Sequence, residues 1–164
     1  MSADRGSRGK RKDVHERALG LLAVRQRSRR ELERRLVQAG FEPEEVADEL
    51  ERLERVGLLD DEAFARAVVE SRMGFRGESR RVVAGKLAQA GVAADVAIGA
   101  LDEAAEAEED RAQRLADAKA ARFVGLDPKV AQQRLYGFLA RRGYGHEIAR
   151  QAASRALAAE TIDD

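Results

Sequence analysis

The chain has 164 residues, of which 37% are charged and only 4% aromatic, and its 30 basic and 30 acidic residues cancel. The absence of cysteine excludes disulfides and thiolate metal sites, and no apolar run reaches the roughly 18 residues that predict a membrane span. The composition favours several small aliphatic cores over one large core, with a helical bias from Ala, Leu, Arg and Glu.

Residues 1–13 are predicted to form a disordered basic tail, because they contain almost nothing apolar to bury. Such a tail could attract nucleic acid by releasing counterions, or could serve only solubility. No apolar segment follows its basic residues, so it is not predicted to be a signal peptide, and we expect a cytoplasmic protein.

Residues 14–57 are predicted to form a first three-helix repeat. Ser28, followed by Glu31, has the sequence of a capping box and opens the second helix, which Gly40 ends. Pro43 suits the first turn of the third helix, and Gly57 closes that helix. The apolar residues that recur at helical spacing on the three helices are Val14, Ala18, Leu21 and Leu22; Leu32 and Leu36; and Val46, Leu50 and Leu53.

Residues 58–106 are predicted to form the second repeat. Either Asp60 or Asp61 is expected to cap its first helix, and residues 74–77 are expected to form a loop. Ser79 is expected to open the middle helix, and Gly91 to end it. The apolar positions on the three helices are Phe64, Val68 and Val69; Val83 and Leu87; and Ala94, Ile98, Leu101 and Ala105.

Residues 107–160 are predicted to form the third repeat, followed by a frayed end at 161–164. An alanine-rich first helix is broken by Gly125, and Asp127 with Pro128 starts the middle helix, which Gly143 ends. The apolar positions on the last two helices are Ala131, Leu135, Phe138 and Leu139, and then Ile148, Ala152 and Ala156.

The middle helices carry the clearest internal repeat, with the same pattern of two apolar residues, a glycine and a further apolar residue. The spacing is 51 and then 52 residues, from Gly40 to Gly91 to Gly143. No alternating apolar and polar run suggests a strand. The sequence therefore predicts an all-α fold of three tandem three-helix repeats.

The sequence offers little that could catalyse a reaction. His15 and His146 stand near helix starts and are predicted to face solvent. The acids at 60–62 are explained more simply as a helix cap than as a cation site, and the Gly-x-x-Gly at 74–77 is a weak phosphate signal. We therefore expect no enzyme activity, no cofactor and no metal.

Basic residues instead recur at the junction between the first and middle helices. Residues 1–35 hold twelve Lys/Arg against five Asp/Glu, whereas residues 42–62 hold two against ten. These basic residues could bind phosphate or an acidic protein face, or could be neutralised by acids of neighbouring helices. We predict a partner-binding role for the set as a whole, namely Arg25, Arg27, Arg29, Arg30, Arg34, Arg35, Arg72, Arg76, Arg80, Arg81, Lys86, Arg141 and Arg142.

Three segments resemble the RecX family of regulatory proteins. The first runs from Arg27-Ser28 through Glu31-Leu32 to Gly40, the second is Gly57-Leu58-Leu59-Asp60-Asp61 followed by Phe64-Ala65, and the third is Arg141-Arg142-Gly143-Tyr144. The resemblance covers roughly residues 14–157. It implies an elongated, curved array of helical repeats that binds the RecA recombinase filament on single-stranded DNA and inhibits its ATPase, strand-exchange and co-protease activities.

Two other functions stay open from the residues alone. The tail and the arginines could bind single-stranded or double-stranded DNA directly and without sequence preference, which salt would weaken steeply. A general helical adaptor is the third hypothesis. In each case we expect a monomer that does not contact a membrane.

Overall fold

The computed structural model describes residues 13–104 and 106–160. Within them it contains nine α-helices and no strand, which confirms the predicted all-α fold of three-helix repeats. The predicted basic tail, Ala105 and the predicted frayed end lie outside the described residues, apart from Asp13. No helix in the described ranges combines the length and apolar character that crossing a bilayer requires.

The first repeat contains α1 (Val14–Val24), α2 (Arg29–Gln38) and α3 (Pro43–Arg55). The second contains α4 (Asp61–Val69), a π-helical turn (Glu70–Phe75), α5 (Arg80–Gln89) and α6 (Ala94–Glu103). The third contains α7 (Glu108–Ala120), a 3₁₀ turn (Ala121–Phe123), α8 (Pro128–Arg141) and α9 (His146–Glu160). By compactness the described chain divides into a first unit, up to Phe64 together with Ala90–Val92, and a second unit with the remainder.

The helix starts follow the predicted caps, with one difference. The Ser28 side chain accepts a hydrogen bond from the backbone N–H of Glu31 at 3.1 Å, as a capping serine should. The Glu31 carboxylate, however, binds Arg25 and Arg27, so it is drawn away from the reciprocal half of the capping box. Asp60 is the aspartate that caps α4, accepting from the N–H of Ala63 at 3.0 Å.

The middle helices end at glycines in the left-handed region, as predicted. Gly40 has a φ of 94° and Gly143 a φ of 92°. After each glycine the chain folds back: the N–H of Phe41 donates to the Leu36 carbonyl at 3.3 Å, and that of Tyr144 to the Leu139 carbonyl at 3.4 Å. These bonds are those of a Schellman motif, which pairs carbonyl groups left open at a helix end.

The first and third repeats each have their own aliphatic core, which packs the helices of that repeat against one another. In the first repeat, Leu32 and Leu36 of α2 pack with Val46, Leu50 and Leu53 of α3, and all five are fully buried. In the third repeat, Leu135 and Leu139 pack against small alanines. The fully buried alanines there are Ala112, Ala116, Ala120, Ala149 and Ala153.

Two expectations for the second repeat are wrong. The chain does not form a loop from residue 74, because the helix widens into the π-helical turn and continues to Phe75; Gly77, with a φ of 65°, marks the turn beyond it. The buried face of α6 is also different: Ile98 is 53% exposed and Ala94 is exposed, while Ala97, Ala100 and Leu101 are buried. The alanine-rich helix offers two apolar faces, and packing selects the one with the smaller side chains.

The start of each of the first two middle helices is joined to the following repeat. In the first unit, Ser28 Oγ donates to the carbonyl of Ala90, and Asp61 Oδ1 accepts from the N–H of Arg29 at 2.8 Å. The glycine that follows Ala90 lies against the side chain of Arg30. We call this set of contacts a repeat junction. It supplies hydrogen-bond partners to backbone N–H and C=O groups that lack a partner within their own helix.

The second unit has an equivalent repeat junction. The N–H of Ser79 donates to the carbonyl of Arg142 at 2.8 Å, and Glu108 Oε1 accepts from the N–H of Arg80 at 3.1 Å. Gly143 lies against Val82 and the Ser79 hydroxyl, with no room for a Cβ atom. At Gly91 and Gly143 the third position of the repeated motif is therefore glycine for two reasons, its backbone conformation and its closeness to the preceding repeat, whereas at Gly40 only the backbone conformation requires glycine.

A pair of glycine variants separates these two reasons. Gly143→Ala and Gly125→Ala each place a side chain at a positive φ, 92° and 85° respectively, but only Gly143 has close neighbours. We expect Gly125→Ala to lower the free energy of unfolding by about 1–2 kcal/mol, and Gly143→Ala by a further ~1–3 kcal/mol from overpacking. Urea unfolding followed by circular dichroism measures both, and equal losses would contradict the close approach.

The hydroxyl of Tyr144 adds a buried hydrogen bond near this junction, donating to the Gly77 carbonyl at 2.9 Å. Burial raises the pKa of Tyr144 to about 12. In the unfolded chain tyrosine loses its proton near a pKa of about 10, so the contribution to stability is complete below pH ~10 and is lost as pH rises towards ~12.

Tyr144→Phe should therefore flatten the alkaline limb of the stability profile. Between pH ~10 and ~12 the wild type should lose up to about 1.4 kcal/mol per pH unit through this group, and the variant should lose less. Unfolding free energies measured at closely spaced pH values give the comparison. If the unfolding free energies of the two proteins fall with pH at the same rate in this range, ionisation of Tyr144 does not destabilise the folded state.

Candidate partner-binding surfaces

The thirteen basic residues predicted to bind a partner fall into two groups in the structure. Seven have side-chain contacts inside the fold: Arg25, Arg27, Arg29, Arg72, Arg80, Arg81 and Arg142. The other six are exposed and have no side-chain hydrogen bond or ion pair within the described ranges: Arg30, Arg34, Arg35, Arg76, Lys86 and Arg141. Sequence position alone did not distinguish the groups.

Arg27 is a structural residue. It is only 8% exposed, its Nε donates to the carbonyl of Leu21 at 3.2 Å, and its Nη1 donates to Glu31 at 2.9 Å. Arg25 binds the same carboxylate from the exposed side. Burial acts to raise the pKa of Glu31, but hydrogen bonds and charge from the two arginines outweigh it and lower that pKa. The three residues thus tie the end of α1 to the start of α2.

Three further arginines are paired with acids of their own unit. Arg29 lies 3.3 Å from Glu54, and the Arg80 guanidinium donates to Asp102 at 2.6 Å. Arg72 contacts both carboxylate oxygens of Glu78, at 3.0 and 3.1 Å. In these pairs the acidic third helices, or the turn after the π-helix, neutralise the basic junctions.

The exposed basic residues occur in both units. In the first unit Arg30, Arg34 and Arg35 project from α2, and in the second unit Lys86 projects from α5. Arg35 and Lys86 occupy equivalent positions, each directly before a fully buried leucine. Since neither has an ion pair in the described part of the chain, both can bind carboxylates or phosphates without first breaking such a pair.

Within the group that has internal contacts, Arg81 and Arg142 differ from the other arginines because they bind carbonyl groups and not carboxylates. Arg142 lies over the ring of Phe138 at 3.9 Å, and its Nε donates to the Arg76 carbonyl at 3.3 Å. Arg81 approaches the Gly143 carbonyl at 3.4 Å, a long contact. Their positive charges are therefore positioned but not neutralised by an acid of the described residues.

Sequence reasoning misplaced one histidine. The prediction that His15 faces solvent is wrong, because its Nδ1 lies 2.6 Å from Oε1 of the buried Glu49 and the side chain is half-buried. His146 is exposed, as predicted, and its Nδ1 lies 3.1 Å from the Tyr136 hydroxyl. The residues of the first pair are 34 positions apart on different helices, and no local pattern signals it.

Sequence reasoning also missed one exposed aromatic residue. Phe75 ends the π-helical turn directly before Arg76 and is 83% exposed. The sequence predicts a loop at 74–77 and no role for this ring, whereas the helix continues through the widened turn and ends at Phe75. Among the described residues, no cluster of three or more acids or histidines could hold a metal ion.

Comparison with protein families matches all three repeats to one family. Residues 15–53 match "RecX, first three-helix domain", residues 60–101 match "RecX, second three-helix domain", and residues 106–153 match "RecX, third three-helix domain". The three matched segments lie in the order of the repeats described above and together cover more than half of the chain.

Relatives and solved structures agree with this match. The chain is 40% identical to the regulatory protein RecX of Mycobacterium sp. (strain JLS), over 90% of this chain and 83% of the relative. It is 43% identical to the regulatory protein RecX of Streptomyces coelicolor, over 88% and 78%. The crystal structure of RecX from Lactobacillus salivarius shares the fold, with a TM-score of 0.72 at 19% identity over 87% of this chain and 94% of that one.

Two arginine variants test the division between structural and exposed cations. Arg27→Ala removes bonds to the Leu21 carbonyl and to Glu31 in a buried setting, so we expect the free energy of unfolding to fall by about 1–3 kcal/mol. Arg34→Ala, on the exposed side of α2, should change it by less than about 0.5 kcal/mol. Chemical denaturation of both proteins provides the values, and similar losses would refute the structural role of Arg27.

Proposed function

The chain belongs to the RecX family of regulatory proteins, and we propose that it binds the RecA recombinase filament on single-stranded DNA and inhibits the filament's ATPase, strand-exchange and co-protease activities. This is a regulatory role in homologous recombination, DNA repair and the SOS response, exerted by a cytoplasmic monomer. The protein would act by occupying the filament, without catalysis and without a cofactor.

The observation that carries this proposal is the set of exposed cations, in both units, that have no ion pair among the described residues. Arg30, Arg34 and Arg35 belong to the first unit, and Arg76, Lys86 and Arg141 to the second. A filament presents the same surface many times, so two cationic sets on one chain can engage it together. Linked contacts of this kind raise the overall affinity well above that of either set alone.

The paired arginines have a different part in this proposal. Arg25, Arg27 and Arg72 hold the repeats in shape through Glu31 and Glu78, and reversing their charge would disturb the fold as well as any interface. The residues suited to a test of binding are those whose side chains are exposed and make no internal bond among the described residues. Arg35 and Lys86 meet this condition at equivalent positions of two repeats.

The test compares two double variants on preassembled RecA filaments. The wild type, added at substoichiometric amounts, should inhibit ATP hydrolysis and strand exchange. Arg35→Glu with Lys86→Glu should require at least about tenfold more protein for the same inhibition, because close charge pairs at an interface couple by about 1.5 kcal/mol or more. The control, Arg17→Glu with Arg122→Glu, changes two exposed arginines elsewhere and alters the net charge equally.

Three results decide the proposal. If wild-type protein leaves ATP hydrolysis and strand exchange unchanged, the proposal fails. If both double variants lose inhibition equally, overall charge and not the position of Arg35 and Lys86 governs binding. If naked DNA binds the protein as tightly as the filament does at moderate salt, direct sequence-independent DNA binding becomes the better account.

A further inference from the structure

Phe75 is the most exposed large apolar side chain in the described part of the chain. The sequence contains only five Phe and two Tyr. The six others are buried or half-buried, and most belong to the aliphatic cores. Phe75 thus contributes little to the fold, although an aromatic ring is the largest apolar group that this chain uses.

The backbone that follows Phe75 is firmly held. The carbonyl of Arg76 accepts from Arg142 at 3.3 Å, and the carbonyl of Gly77 accepts from Tyr144 at 2.9 Å. Gly77 is covered by the side chain of Leu115, and its positive φ fixes the turn. A ring presented on such a fixed segment loses little conformational freedom when it binds a partner.

Three arginines belong to the same segment or lie beside it, while Glu70, Glu103 and Glu106 line a pocket with the preceding residues Met73 and Gly74. Arg76 is exposed and unpaired among the described residues, while Arg81 and Arg142 bind carbonyl groups of the segment and of the helix end beside it. The nearest acid in sequence, Glu78, is bound through both oxygens by Arg72. Three arginines that pair with no acid among the described residues are therefore held on the segment that presents the exposed aromatic ring, or at the helix end bonded to it.

We propose that these four residues, Phe75, Arg76, Arg81 and Arg142, form a binding site for single-stranded nucleic acid. A base stacks on the ring of Phe75, and phosphate groups bind the guanidinium groups. Stacking platforms bordered by cations are the usual means of holding single strands without sequence preference. The inference rests on the proposed function in one respect, since it assigns this site to the single strand inside the filament and not to the recombinase protein.

An acidic protein face fits these observations less well. A protein partner that receives a phenylalanine normally does so within a larger apolar contact. Between residues 70 and 81 the only other large apolar side chain is Met73, and it is buried. An isolated exposed ring among cations matches one nucleobase and its phosphates better than it matches a hydrophobic interface.

The chain contains no tryptophan, so Phe75→Trp in the full-length protein introduces a single fluorescent reporter at the stacking position. Titration with a thymidine oligonucleotide of about 16 nucleotides should quench its emission. An abasic oligonucleotide of equal length, which retains the phosphates, should not quench it. Val124→Trp places the control indole at another exposed site of the same unit, 61% exposed, and should respond to neither.

A second variant measures the contribution of the ring to affinity. Phe75→Leu keeps an apolar side chain but removes the stacking surface, and we expect oligonucleotide binding, followed by anisotropy, to weaken about tenfold. Quenching by the abasic strand, or unchanged binding by Phe75→Leu, would overturn the site. If the protein inhibits filaments but does not bind the oligonucleotide, this inference fails and the proposed function stands. If it binds the oligonucleotide through Phe75 but does not inhibit filaments, the site stands and the proposed function fails.

Discussion

Every helix ends with polar backbone groups that its own hydrogen bonds cannot satisfy, and this chain pairs several of them with the neighbouring repeat. At the start of α2, Ser28 donates to the Ala90 carbonyl and Arg29 to the Asp61 carboxylate. At the start of α5, Ser79 donates to the Arg142 carbonyl and Arg80 to the Glu108 carboxylate. Polar groups left open at the start of one helix are therefore paired by groups of the following repeat. The small aliphatic cores, in contrast, pack the helices within the first and the third repeat.

The sequence predicted the ends of the middle helices well because their signals are local. A capping serine and a glycine act within one turn of the chain, so Ser28 and Gly40 could be recognised without knowledge of the fold. The functions of Asp60 and Asp61 could not be separated in this way. The two acids are adjacent and chemically equal, and only the position of the preceding repeat decides that one caps α4 and the other caps α2.

The surface was less predictable than the core for a related reason. Whether an arginine is neutralised depends on which acid approaches it in space: Arg72 meets an acid six residues away, whereas Arg80 meets one 22 residues away. The sequence around Arg35 does not distinguish it from Arg72 or Arg80, yet its side chain is unpaired among the described residues. Phe75 was missed because residues 74–77 were expected to form a loop, whereas the helix continues through the π-helical turn and ends at this residue.

The start of α8 departs from the rule that the other two middle helices follow. Asp127 caps its own helix through the N–H groups of Lys129 and Val130, and the next residue is Pro128, where α2 and α5 have an arginine whose N–H binds an acid of the following repeat. Proline has no N–H to donate. The start of α8 therefore lacks the backbone donor with which α2 and α5 each bind a carboxylate of the following repeat.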